Sequence, residues 1–171
     1  TGPIGDHGIT IMAARGGMNL NIKTRSDCAP LYALLKPLFR LGARLHFMRD
    51  ATRGGLASVL NELATSSHLA IEIFEAAVPV NPAAKSASSL LGLDPMYIAN
   101  EGKTVVVVAP EIRNQALQLL QGHPLGKSSH AIGVVSKNYP GKVCLHTALG
   151  GRRFLYPMTF FYHDNMAAFL P

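Results

Sequence analysis

The sequence predicts an α+β fold, a mixed, largely antiparallel sheet packed with helices. Two observations predict it. Segments with apolar residues three and four apart interleave with short alternating or β-branched runs up to Gly122, and the last three strand-like runs are joined only by glycine turns. Interleaving lays helices on a sheet, and the closing turns predict an antiparallel meander at its end. A chain of 171 residues can bury one good core or two small ones, and one domain is the expected count.

Residues 9–15 fit a short helix that Gly16-Gly17 would stop, behind a loop punctuated by Gly2, Gly5 and Gly8. Asp6 stands where an N-cap would. The next helix runs through Leu31, Leu34, Leu35, Leu38, Phe39 and Leu41, with Ser26 or Asp27 as cap and Pro30 in its first turn. Pro37 predicts a kink or break inside it, and Gly42 its end. Residues 45–48 read as a strand. Residues 56–65 read as a helix with Leu56, Val59, Leu60, Leu63 and Ala64 on one face and Asn61 and Glu62 turned to solvent.

Residues 69–74 alternate as a strand with one buried face, and Asn81-Pro82 opens a helix over 83–91 that stops at Gly92. The valine run 104–108 predicts a central strand covered on both faces. Pro110 and Glu111 begin a helix stopped at Gly122. Strands over 131–135, 142–147 and 152–156 follow, and the aromatics Phe160, Phe161 and Tyr162 are expected to pack on the domain.

The chain is organised around Arg49-Asp50-Ala51-Thr52-Arg53-Gly54-Gly55, between a strand and a helix. An acid, a hydroxyl and a glycine pair at that junction can present backbone N–H groups to a phosphate, with Asp50 free to hold a metal or polar group. A tight turn with Asp or Thr as cap fits the same residues. Two further glycine–acid loops accompany it. In Gly5-Asp6-His7-Gly8, His7 is an exposed side chain, a donor to phosphate or a proton carrier. Asn100-Glu101-Gly102 would in isolation be a simple turn at the entry to the valine strand.

Composition narrows the function. The formal charge of +6 is scattered, and Arg152-Arg153 is too short a run for a nucleic-acid stripe. Phosphate-bearing small molecules suit such a charge better. Cys28 and Cys144 have no metal-ligand or disulfide spacing and are expected to be buried thiols in a reducing compartment. His123, His130, His146 and His163 lack ligand spacing and are expected at the surface or hydrogen-bonded. No apolar run is long enough to cross a membrane.

Taken together, Gly2-Pro3-Ile4-Gly5-Asp6-His7-Gly8, Met48-Arg49-Asp50-Ala51-Thr52-Arg53-Gly54-Gly55-Leu56-Ala57 and Asp94-Pro95-Met96-Tyr97-Ile98-Ala99-Asn100-Glu101-Gly102-Lys103 resemble the HypE family of hydrogenase expression/formation proteins. That family lies in the superfamily of aminoimidazole ribonucleotide synthetase and selenophosphate synthetase. The resemblance covers essentially the whole chain and implies a C-terminal domain over 1–171. It implies an absent N-terminal domain that forms a homodimer and supplies most of the ATP and Mg2+ site. Family members end in Pro-Arg, an aliphatic residue and cysteine, whereas this sequence stops at Leu170-Pro171. Cys28 and Cys144 do not match that terminal thiol, so neither is expected to be a nucleophile.

The implied activity is a cytoplasmic, ATP-dependent carbamoyl dehydration. A thiocarbamate on the terminal cysteine becomes a thiocyanate that supplies cyanide to the iron of [NiFe]-hydrogenase. The implied partners are the HypF carbamoyltransferase and the HypC–HypD complex, with no nucleic acid and no membrane. On this scheme Gly5, Gly8, Gly54 and Gly55 make phosphate or backbone contacts and Asp6 belongs to the same cofactor-binding set, with Asp50 a polar contact to nucleotide or metal at the cleft and Thr52 beside it. Glu101 is the candidate base with Asn100 assisting, and His7 is the alternative base. The isolated chain is expected to be inactive.

Two rivals remain on the sequence. One is another ATP-dependent synthetase of the superfamily, making selenophosphate or a ribonucleotide. The other is a non-catalytic module that docks maturation partners, which the 48% hydrophobic and 15% charged composition would suit.

Overall fold

The computed structural model describes residues 1–15 and 24–158. Helices α1 (Asp6–Arg15), α2 (Tyr32–Leu35), α3 (Gly55–Ser67), α4 (Pro82–Leu91) and α5 (Arg113–Gln121) interleave with six strands. These are β1 (Leu45–Asp50), β2 (Ala70–Phe74), β3 (Thr104–Val108), β4 (Gly133–Ser136), β5 (Val143–His146) and β6 (Arg152–Leu155). The fold is α+β, as predicted. Gly16-Gly17, the aromatics Phe160, Phe161 and Tyr162, and His163 lie outside the described residues.

The strands form two sheets rather than one. β1 and β3 make an antiparallel pair, and the other four are ordered β4-β2-β5-β6. β2 is antiparallel to β4 and parallel to β5, while β5 and β6 form an antiparallel hairpin. The predicted meander is therefore corrected. The turn at Tyr139-Pro140-Gly141 carries the chain past β2, whose entry it holds through Gly141 N–H to Leu69 C=O at 3.1 Å. Only the turn at Gly150 joins neighbouring strands, because a short turn fixes adjacency only when no third strand can slip between.

Three apolar clusters hold these elements. α3 lays Leu56, Ala57, Leu60 and Ala64 on Ile71, Ile73, Val143, Leu145 and Leu155 of the larger sheet. Ile9 of α1 meets Ala84 and Ala87 of α4, with Ile98 between them. Leu34 and Leu38 meet Ala116 and Leu120 of α5 under the β1–β3 pair. The valine strand touches two clusters, Val105 the first and Val106 and Val108 the third, yet each stays half-exposed. It is not a central strand: among the described residues it pairs with β1 alone. A β-branched run marks a strand whatever its place in a sheet.

The break at Pro37 is present. The α-helix ends at Leu35, a 3-10 helix spans Lys36–Arg44, and Gly42 turns the chain at φ 55°. α4 ends on Gly92 in the left-handed conformation, as expected. Two expectations about the helices fail. α2 is preceded by Leu31 with no side-chain cap, and Ser26 and Asp27 are engaged elsewhere. Asn61 is 6% exposed and donates to the Ala57 carbonyl instead of facing water, whereas Glu62 is exposed and pairs with Arg49. Helices cover one face of the larger sheet; on the other, Phe74, Val134 and Phe154 stay exposed. Among the described residues no helix is long and apolar enough to cross a membrane.

Candidate active site

Asn100 sits where the three glycine loops meet. Its side chain is fully buried and fully used: Oδ1 accepts the Gly5 amide at 2.8 Å, and Nδ2 donates to the carbonyls of Ala51 at 2.9 Å and Ile98 at 3.1 Å. Its backbone N–H adds a bond to the Ala51 carbonyl at 3.2 Å, and the Ala51 amide donates to the Lys103 carbonyl. One amide side chain thus joins residues 5, 51 and 98. A primary amide suits this place because it both accepts and donates without carrying charge into the interior.

The glycines are explained by these close approaches. Gly55, at φ 64°, brings the start of α3 against the 96–98 segment, where a Cβ would lie 2.6 Å from the Ile98 carbonyl oxygen and 2.7 Å from that of Met96. A Cβ on Gly8 would lie 2.4 Å from the Ile98 side chain. The amides are also spent: Gly5 on Asn100, Gly8 on the Ala99 carbonyl and Gly55 on the Thr52 carbonyl. The Gly5 and Gly8 amides thus bind loop to loop, and the Gly55 amide closes its own turn. Gly54, at φ 75°, has no such internal acceptor among the described residues.

Asp6 is the first residue of α1 rather than its cap. It is 8% exposed, and its carboxylate accepts from Asn81 Nδ2 at 2.6 Å. Burial pushes its pKa up from the ordinary value, and the negative charge of Asp27 adds to the effect; the Asn81 hydrogen bond and Lys103 oppose it. Asp50 is exposed and accepts the Thr104 hydroxyl at 2.7 Å, while Thr52 is half-exposed. No three His, Cys, Asp or Glu side chains among the described residues are grouped as a metal site. The donor set therefore does not fit Mg2+ by itself, and Asp50 would be one ligand of an ion completed by other groups.

At the rim, His7 and Glu101 face one another. His7 Nε2 lies 4.0 Å from Glu101 Oε1, with side-chain exposures of 21% and 44%. His7 Nδ1 lies 2.8 Å from the Ser26 hydroxyl. The next residue, Asp27, is 4% exposed in its side chain; Oδ1 accepts the Glu101 amide at 3.1 Å, and Oδ2 faces the Lys103 ammonium at 3.1 Å. Gly102 allows this contact, since a Cβ there would overlap the Asp27 carbonyl. So the site has a fourth strand of chain, residues 26–29. Ser26 and Asp27 were read as caps because a polar pair ahead of an apolar run looks the same in either role.

Cys28 is exposed, not buried as expected; Cys144 is buried, and burial followed by the charge of Glu72 raises its thiol. His123 accepts the Leu125 amide, His130 contacts the Ser128 carbonyl and His146 contacts Glu72. All three are hydrogen-bonded surface groups, as expected. Arg153, half of the short basic run, is paired with Asp94.

The family described as AIR synthase related protein, C-terminal domain, matches residues 1–143. A putative hydrogenase expression/formation protein of Methanocaldococcus jannaschii is 41% identical over 152 residues, which are 89% of this chain and 45% of that protein. The carbamoyl dehydratase HypE of Bradyrhizobium diazoefficiens is 41% identical over 156 residues, 91% of this chain and 45% of the relative. Among solved structures, a HypE–HypF complex superposes with TM-score 0.87 at 38% identity, covering 91% of this chain and 50% of the other. HypE in complex with ATP gives 0.86 at 40%, covering 91% and 48%. Thiamine monophosphate kinase from Aquifex aeolicus, at 15% identity and TM-score 0.54, shares the fold alone. The chain spans about half the length of the curated relatives it matches. It belongs to the AIR synthase related, C-terminal domain family, and within that family it is similar to the hydrogenase maturation proteins of the HypE type.

Proposed function

We propose that this chain is the C-terminal half of a carbamoyl dehydratase of the HypE type, acting in hydrogenase maturation. ATP is a substrate of the reaction, held mainly by an N-terminal half that also carries Mg2+ and forms the homodimer. The facing of His7 and Glu101 across loops that Asn100 locks together carries this reading. The identity to HypE proteins and the likeness to a HypE–ATP structure support it. A HypF-type carbamoyltransferase is the partner that a HypE–HypF structure favours, and a HypC–HypD complex would receive the product.

Dehydrating a thiocarbamate to a thiocyanate removes the carbonyl oxygen and both protons of one nitrogen. The oxygen is a poor leaving group until phosphoryl transfer converts it to phosphate. The two N–H bonds then need acceptors at the nitrogen. The rim of this chain offers Glu101, which takes the protons in turn as general base, and His7, whose imidazole faces that carboxylate and stabilises its charge. Asn100, buried and with both donors spent, positions Glu101 without touching substrate. Asp27 holds the Glu101 amide, and Lys103 neutralises Asp27. The test is Glu101→Gln in the full-length protein. Dehydration is expected to fall about 10²-fold or more with the fold intact, and an undiminished rate removes Glu101 from the mechanism.

A further inference from the structure

We propose that Ser26 is a positioning residue that fixes which nitrogen of His7 carries the proton, so that the imidazole N–H points at the Glu101 carboxylate. This rests on the reading of His7 and Glu101 as the proton-handling pair, but the hydrogen-bond pattern argues it separately. An ionised carboxylate can only accept, so the ring nitrogen facing it, Nε2, is the one that gains by being protonated. In the neutral ring Nδ1 is then the acceptor. The Ser26 hydroxyl is 2.8 Å from Nδ1. It also accepts the Cys28 amide at 3.2 Å, which engages one oxygen lone pair and leaves the hydroxyl hydrogen to donate to Nδ1. The chain therefore reads Cys28 N–H to Ser26 oxygen, Ser26 O–H to His7 Nδ1, and His7 Nε2–H toward Glu101. The neighbouring Asp27 holds the Glu101 amide at 3.1 Å, so one dipeptide orients both members of the pair. In the other tautomer His7 would turn a bare lone pair to the carboxylate, and the two acceptors would repel.

The tautomer can be read directly. In long-range 1H–15N spectra of the 15N-labelled chain above the titration of His7, assigned with His7→Gln, the wild type is expected to show Nε2 protonated and Nδ1 bare. Ser26→Ala is expected to draw the two ring-nitrogen shifts together as tautomers mix, and Ser26→Thr to restore the wild-type pattern. An Nδ1–H tautomer in the wild type, or a ring unaffected by Ser26→Ala in a folded chain, overturns the proposal. In the full-length protein Ser26→Ala should lower kcat about tenfold and leave KM for ATP unchanged. A mixed tautomer with unchanged kcat keeps Ser26 as the orienter of His7 and instead removes His7 from the chemistry.

Discussion

The Asn100 side-chain oxygen accepts the Gly5 amide at 2.8 Å although the two residues are 95 positions apart. Through that bond the first loop of the chain is registered against the third.

Asn100→Ala should therefore cost stability and not only activity. It strands the Gly5 amide and removes both donors that reach Ala51 and Ile98. A loss of roughly 2–4 kcal/mol is expected in urea denaturation. Asn100→Asp should be worse at neutral pH, because it turns a carboxylate toward two carbonyl oxygens. A variant within about 0.5 kcal/mol of wild type contradicts the assignment.

Gly55 and Gly92 form a matched pair. Both have positive φ, 64° and 67°, but a Cβ at Gly55 runs into two carbonyl oxygens and one at Gly92 meets nothing within 4 Å. Gly92→Ala should cost about 1 kcal/mol from backbone strain alone. Gly55→Ala should cost about 3 kcal/mol or more, or prevent folding. Equal midpoint shifts in thermal melts would mean that the start of α3 is not in contact with the 96–98 segment.

The isolated chain should bind ATP–Mg weakly or not at all in calorimetry. Three of the four glycine amides once expected to cradle phosphate already donate within the protein, and the acids near them are not grouped around a cation. Micromolar binding would show that the rim is a complete nucleotide site.

Two carboxylates should give opposite pH trends. Burial raises Asp6 above its ordinary 3.8, so the folded chain keeps that proton to higher pH than the unfolded chain. Stability then falls as pH rises from 3.8 through the raised value. Hydrogen bonds from Ser136, His146 and Asn138 lower Glu72 from 4.5. Its contribution is full above 4.5 and is lost as pH falls through the lowered value. In denaturation at a series of pH values, Asp6→Asn should gain on wild type as pH rises, and Glu72→Gln as pH falls. Parallel trends would show that one of these environments is misread.

Local signals predicted most of the elements, because a helical stripe and a glycine stop are written within ten or so residues. What failed needed information from distant parts of the chain. Nothing near Tyr139-Pro140-Gly141 says that β2 lies between β4 and β5, and nothing in the valine run says that β1 is its one strand partner among the described residues. The site divides the same way. His7, Asn100 and Glu101 stand out as polar residues beside glycines, and they do lie together with Gly5. Ser26 and Asp27 did not stand out, since their partners His7 and Glu101 are 19 and 74 residues away. Glycine was misleading in one respect: room for a phosphate and room for a neighbouring carbonyl select the same residue.

The polar junction at Asn100 also divides what is free to drift from what is not. Each apolar cluster can exchange leucine for isoleucine or methionine within its own walls and shift its helix slightly. None of those exchanges moves an imidazole away from a carboxylate, because the alignment of the loops is set by hydrogen bonds at the crossroads rather than by the greasy layers around it. The interior can thus be repacked while the rim keeps its geometry.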